Sequence, residues 1–157
     1  MEPQLHSQAY IQGAAERPTI LGVDPGVSTG IAIAYWDAPN NKWLYTTSTH
    51  TDVKTVWDLI DHPIDVAVVE RFSAQLISKY GLHTVDLIGG IKALAWYHAI
   101  TVEEDTPTQR KPYMEYARSL VPPSADIPRH EQRHEIDAMA HVVRYLYRQG
   151  FITSLEV

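Results

Sequence analysis

Two short, continuously apolar runs in this chain each end in a carboxylate, and few architectures accommodate that. Thr19-Ile20-Leu21-Gly22-Val23 leads into Asp24, and Val66-Ala67-Val68-Val69 leads into Glu70. Apolar runs this short that do not alternate with polar residues read as strands buried on both faces. A third acid, Asp137, lies beside the Ala/Met/Val stripe of the last helical segment. A charge beside a core is costly unless it is paired or binds a metal, so three of them imply one shared divalent-cation site. That pattern belongs to an enzyme.

At 157 residues the chain fits one domain with a core of its own. It has no cysteine, so any metal must be held by oxygen and imidazole ligands. The lack of cysteine is compatible with a reducing cytoplasm. No run approaches the ~18 apolar residues of a membrane span, and no secretory signal is evident at the N-terminus. The expectation is a soluble, cytoplasmic protein of bacterial or phage type, with no membrane partner. The formal charge of −6 argues against indiscriminate coating of nucleic acid, which rests on phosphate neutralisation by Lys and Arg. Basic residues nevertheless gather late in the chain, from Arg110 and Lys111 through Arg118 to Arg148, so a local basic face is compatible with the acidic total.

Residues 1–17 show no periodicity and read as a flexible extension that Pro18 ends, leaving residues 18–157 as a single domain. After the Thr19–Val23 strand, Ile31–Trp36 and Trp43–Thr49 form a hairpin. Thr51 or Asp52 caps a short helix that ends before Pro63, and Ile64–Val69 is the second buried strand. From His83 to about Ala99 the apolar residues recur at helical spacing, despite Gly89-Gly90. Such a glycine pair marks either a close approach to the backbone or a kink. Ile100–Val102 is a short strand, and Thr106–Pro128 is a proline-punctuated connection with a helix near Tyr113–Leu120. A final helix runs from about Glu131 to Arg148 and stops at Gly150. The fold class is α/β, a mixed sheet of about five strands flanked by helices.

Three motifs carry the chemistry. The first delivers Asp24 at a strand end into a turn containing Gly26 and Gly30, glycines that leave room for a phosphate or metal beside the carboxylate. The second ends a strand with Glu70; if the two strands are parallel neighbours, their carboxyl ends lie together. In the third, His134-Glu135-Ile136-Asp137, the spacing of three puts His134 and Asp137 on one helix face, aimed at a common atom, while Glu135 points elsewhere. His141 falls on nearly the same face and reads as a hydrogen-bonded packing residue.

Taken in order, the Asp24 turn, the strand ending in Glu70, Thr106-Pro107 with Lys111 after it, and the closing His-x-x-Asp-Ala helix resemble Holliday junction resolvases of the RuvC type, within the RNase H-like superfamily. The resemblance runs from about Thr19 to Arg148. It implies a homodimeric endonuclease, dependent on Mg²⁺ or Mn²⁺, that makes paired nicks in four-way DNA junctions. By position, Asp24, Glu70 and Asp137 are the implied metal ligands. His134 stands where many members carry a fourth carboxylate, and Lys111 matches a basic residue near the scissile phosphate. The helix with Gly89-Gly90 resembles the one through which such dimers pack. Arg71, Phe72, Arg110, Lys111 and Arg118 are the expected DNA contacts, Phe72 resembling an aromatic wedge but lying one residue nearer the glutamate. The family's glycine-rich segment after the Thr-Pro region is replaced by Pro112-Tyr113-Met114-Glu115-Tyr116.

Phosphodiester hydrolysis needs an activated water, neutralised phosphate charge and a stabilised leaving oxygen, and two cations supply all three. On this scheme Asp24 bridges both ions, Glu70 and Asp137 hold one each, and His134 either ligates or handles a proton. The Asp24 turn also resembles the phosphate loop of actin-like ATPases and sugar kinases, which need two such domains to enclose a nucleotide. Other branched DNA, RNA–DNA hybrids and a catalytically silent junction binder stay open as alternatives.

Overall fold

A computed structural model of the chain describes residues 17–60, 63–71 and 82–157. Five strands form one mixed sheet in the order β3-β2-β1-β4-β5: β1 Ile20–Asp24, β2 Thr29–Asp37, β3 Lys42–His50, β4 Val66–Glu70 and β5 Thr101–Asp105. β1, β2 and β3 pair antiparallel, whereas β1, β4 and β5 run parallel. The helices are α1 Val53–Ile60, α2 Leu82–Tyr97, α3 Pro107–Arg110, α4 Met114–Leu120 and α5 Arg133–Arg148, with a 3₁₀ turn at Lys111–Tyr113. The expected mixed α/β sheet of five strands is thus present. Residues 1–16 and Phe72 lie outside the described residues. None of the described helices is long and apolar enough to cross a membrane.

Side chains alternate across a strand, so each buried strand feeds two cores. Ile20 and Val68 face α4 and α5, packing with Ala117, Met139 and Leu146. Leu21, Val23, Ala67 and Val69 face the other way, against Val56 of α1 and Leu87, Ile91 and Ala95 of α2. The same period assigns the acids. Asp24, two and four residues beyond Gly22 and Ile20, and Glu70, two and four beyond Val68 and Val66, both lie on the α5 side.

Helix α5 crosses that side in backbone contact with the sheet. A Cβ added at Gly22 would strike the carbonyl oxygen of Ala138, and one at Gly30 would strike the carbonyl of His134. Gly30 was expected to leave space for a phosphate or metal. Its missing side chain instead admits the helix backbone, because β2 carries Gly30 directly beneath the first turn of α5. Glu135, buried on the flank of this turn, accepts hydrogen bonds from the hydroxyls of Thr47 (2.9 Å) and Thr49 (3.1 Å) on β3. It points away from His134, as its spacing predicts.

The glycine pair in α2 divides between the two readings. Gly90 lies against the indole of Trp57, where a Cβ would sit 2.7 Å from the ring nitrogen, whereas Gly89 faces open space.

Candidate active site

Three parallel strand ends and one helix build the site. In the register of the sheet Val23 pairs with Val69 and Glu70 with Asp105, so Asp24, Glu70 and Asp105 form a row along the carboxyl edge of β1, β4 and β5. Above this row α5 presents His134, Asp137, His141, Arg144 and Arg148, spaced alternately three and four apart and therefore on one stripe. His134 Nδ1 lies 2.7 Å from Asp24 Oδ2. His141 Nε2 lies 3.1 Å from Glu70 Oε2, and its Nδ1 lies 3.0 Å from Asp105 Oδ2. Arg144 pairs with Asp105, and Arg148 reaches Glu103 at 3.4 Å.

Asp24 and Glu70 are buried, and Asp24 feels its neighbours. Burial, opposed by the His134 hydrogen bond and reinforced by the charges of Glu70 and Asp137, raises the Asp24 carboxyl above its ordinary value. A carboxylate held this way gains from any cation brought close to it. Arg133 Nε donates to His134 Nε2 at 3.3 Å, which leaves Nδ1 of a neutral imidazole to carry the proton given to Asp24.

His141 has no exposed surface. Burial pushes its pKa down, but hydrogen bonds and charges from Asp105 and Glu70 outweigh that and leave it raised. Burial also opposes the charge of Asp105, yet His141 and Arg144 together hold that carboxyl below its usual value. The packing role expected of His141 is met, and its partners tie Glu70 into the fold.

The sequence reading missed Asp105, because the strand expected to end at Val102 continues to Asp105. Glu103-Glu104-Asp105 has the composition of a loop. It forms a strand here because β5 is the edge of the sheet, where Glu104 is left exposed. The available signal was the period of two that places Glu103 and Asp105 opposite Arg148 and Arg144.

A second difference concerns the basic residues. Thr106 caps α3 with a reciprocal box: its hydroxyl receives the Gln109 N–H, and the Gln109 side chain receives the Thr106 N–H at 2.8 Å, with Pro107 in the first turn. This short, fixed helix ends at Arg110, whose guanidinium bonds both Glu70 and, at 2.7 Å, Asp137. Lys111, the residue expected beside the phosphate, is exposed. Arg110, expected only as a DNA contact, is the residue whose side chain reaches the carboxylates. His134 and Asp137 accordingly share a face but not a common atom.

Arg71 is exposed just after β4. Arg118 lines a hollow of about 460 Å³ with Arg129, His130, Arg133 and Asp137. A neighbouring hollow of about 420 Å³ is walled by Ser28, Thr49, His130, Glu131, Arg133 and His134. The two share His130 and Arg133, so a basic surface flanks the acids on the side of the α5 N-terminus.

The donor chemistry suits a hard divalent ion: carboxylate oxygens with one imidazole, on adjoining strand ends, and no sulfur. Among the described residues no three such side chains converge on one ion position as they stand, Arg110 lying between two of the acids. The donor types fit such an ion, and Arg110 occupies the space between Glu70 and Asp137.

No family model and no curated protein matches the sequence. Solved structures do match its fold, a five-stranded mixed sheet flanked by helices of the RNase H-like kind. The structure of Thermus thermophilus RuvC in complex with a Holliday junction substrate superposes with a TM-score of 0.61 at 16% identity, over 84% of this chain and 96% of that one. The Fowlpox virus resolvase, in complex with Holliday junction DNA, gives 0.52 at 15% identity, over 86% and 99%. The chain thus shares its fold with these two resolvases.

Proposed function

We propose that the protein is a divalent-metal-dependent endonuclease that cuts four-way DNA junctions as a homodimer. The observation that carries this reading is the row of strand-end acids, Asp24 and Glu70, facing His134 and Asp137 on a helix in backbone contact with the sheet. The resolvase fold supports it, and so does the basic surface beside the acids.

Asp24, Glu70 and Asp137 would hold one or two Mg²⁺ or Mn²⁺ ions, with His134 beside them. Such ions supply an activated water and neutralise charge on the phosphate and the leaving oxygen. The chain's own residues do the rest. His141 keeps Glu70 oriented through a bond that is itself anchored on Asp105. His134 holds a proton at Asp24 Oδ2, a contact that suits it to proton transfer. Arg110, Arg118 and Arg133 meet the backbone phosphates, with Lys111 and Arg71 at the rim. Phosphate contacts of this kind position the DNA.

Two active sites related by a two-fold axis match the two strands of a junction that must be nicked. The dimer contact is assigned to α2. Its outward side carries Val85, the open Gly89 and Trp96, the last 84% exposed, with Trp57 of α1 alongside. A surface of this composition is what a second copy would cover.

The test is a nicking and gel-shift assay on synthetic four-way junctions, flaps, RNA–DNA hybrids and linear duplex, each with Mg²⁺, Mn²⁺ or Ca²⁺. Junctions should be cut with paired symmetry, and binding should weaken steeply with salt. Preference for hybrids or flaps would reassign the substrate, and full activity of Asp24→Asn would end the metal-site reading. His134→Asp separates its two roles: retained activity with altered metal preference marks a ligand, and loss with every metal marks a proton carrier.

A further inference from the structure

Two of the site's three acids already share a cation, and it belongs to the chain. One nitrogen of the Arg110 guanidinium bonds Glu70 Oε2 and the other bonds Asp137 Oδ2 at 2.7 Å, so a single planar fork spans the gap between a strand end and the α5 stripe. The three side chains enclose one another, with only 16% of Arg110, 11% of Glu70 and 18% of Asp137 exposed. The capping box that starts α3 sets the origin of this side chain, four residues after Thr106.

We propose that Arg110 is the catalytic centre's own counter-cation, that it must release Glu70 and Asp137 before a divalent ion takes them, and that a DNA phosphate is what draws it away. This deepens the function proposed above and rests on it. Three features carry it. First, a guanidinium between two carboxylates and a metal ion between the same two carboxylates exclude each other by space and by charge. Second, the guanidinium fork fits a phosphate as well as it fits carboxylates, so the released side chain has a second partner of the same geometry. Third, Glu70 Oε2 also receives His141 Nε2 at 3.1 Å, so the carboxylate stays oriented when Arg110 departs. Metal and DNA then bind with positive coupling, each strengthening the other by the same factor.

Mn²⁺ binding to the purified protein, read by electron paramagnetic resonance, tests this without any cleavage. Arg110→Gln should bind Mn²⁺ about ten-fold more tightly than wild type, Arg110→Lys should fall between them, and Lys42→Gln, which removes a like charge from an exposed position on β3, should change affinity by less than about three-fold. Adding a junction with phosphorothioate linkages at its centre should raise the wild-type affinity about ten-fold and leave that of Arg110→Gln nearly unchanged. Equal Mn²⁺ affinity in wild type and Arg110→Gln would overturn the proposal. If Arg110→Gln does not fold, ¹⁵N-arginine spectra of wild type decide: the Arg110 Nε–H resonance should shift as Mg²⁺ saturates, and an unmoved resonance refutes displacement. A tighter-binding Arg110→Gln in a protein that cuts no junction would refute the nuclease reading and leave the displacement standing.

Discussion

The two helix layers that cover this sheet hold to it by different means. On one face α5 touches the strands backbone to backbone at Gly22 and Gly30, and a line of charges runs from His134 to Arg148 against acids on β1, β4 and β5. On the other face α1 and α2 dock mainly through aliphatic side chains such as Val56, Leu87 and Ile91, and the layer's outer side keeps Trp96 and Tyr97 bare. Buried charges need partners fixed to within a hydrogen bond, so they belong where the backbone itself sets the spacing. A layer held by apolar packing tolerates an unfinished outer surface. On the functions proposed above, chemistry belongs to the rigid face and assembly to the other.

The comparison breaks most sharply at the acids. Asp24→Asn should abolish cleavage of a synthetic junction while leaving gel-shift affinity within a few-fold of wild type, whereas a change on the α2 face should spare chemistry per dimer. Next comes Gly30→Val, which drives a branched side chain into the His134 carbonyl and should cost about 3 kcal/mol or more in urea denaturation. Gly89→Ala, in open space on α2, is the matched control; it should stabilise the monomer by about 0.5–1 kcal/mol.

Asp105→Asn breaks a buried ionic network and should cost on the order of 3–5 kcal/mol. The same network sets a pH window, measurable in EDTA by thermal melts. Asp105 is held below 3.8, so its contribution is present above that pH and lost as pH falls through its folded value. His141 is raised above 6.5, so its contribution is present below that pH and lost as pH rises through its folded value. The network therefore contributes fully between pH 3.8 and 6.5, and the difference in melting temperature between wild type and Asp105→Asn should be largest there. At Trp96→Ser the effect should fall on assembly alone: sedimentation should show dimer association weakened by about 1–2 kcal/mol or more, with the monomer's stability nearly unchanged. A Trp96→Ser protein that dimerises as well as wild type would move the dimer contact off α2.

Much of the site was legible because it is written in local patterns. Apolar runs that stop at Asp24 and Glu70 announce strand ends, and a spacing of three announces that His134 and Asp137 share a helix face. Asp105 escaped because an acidic triplet looks like a loop unless its strand is known to lie at a sheet edge. Arg110 was expected at DNA; that its guanidinium pairs with the acids shows only once the Thr106 cap has set where α3 begins. Gly30 was recognised as a glycine that admits something, but not that the something is the backbone of a helix more than a hundred residues later.

From the sequence alone follow the strands, the helices, the class of fold and the three acids, since period and composition act over a few residues at a time. The pairing of those acids is a tertiary matter. Which cation meets Glu70, which nitrogen of His134 faces Asp24, and how His141 joins two strand ends depend on segments brought together across 27 to 110 positions of chain. No local pattern encodes such distances; they are set when α5 settles onto Gly22 and Gly30 and carries its polar stripe over the sheet.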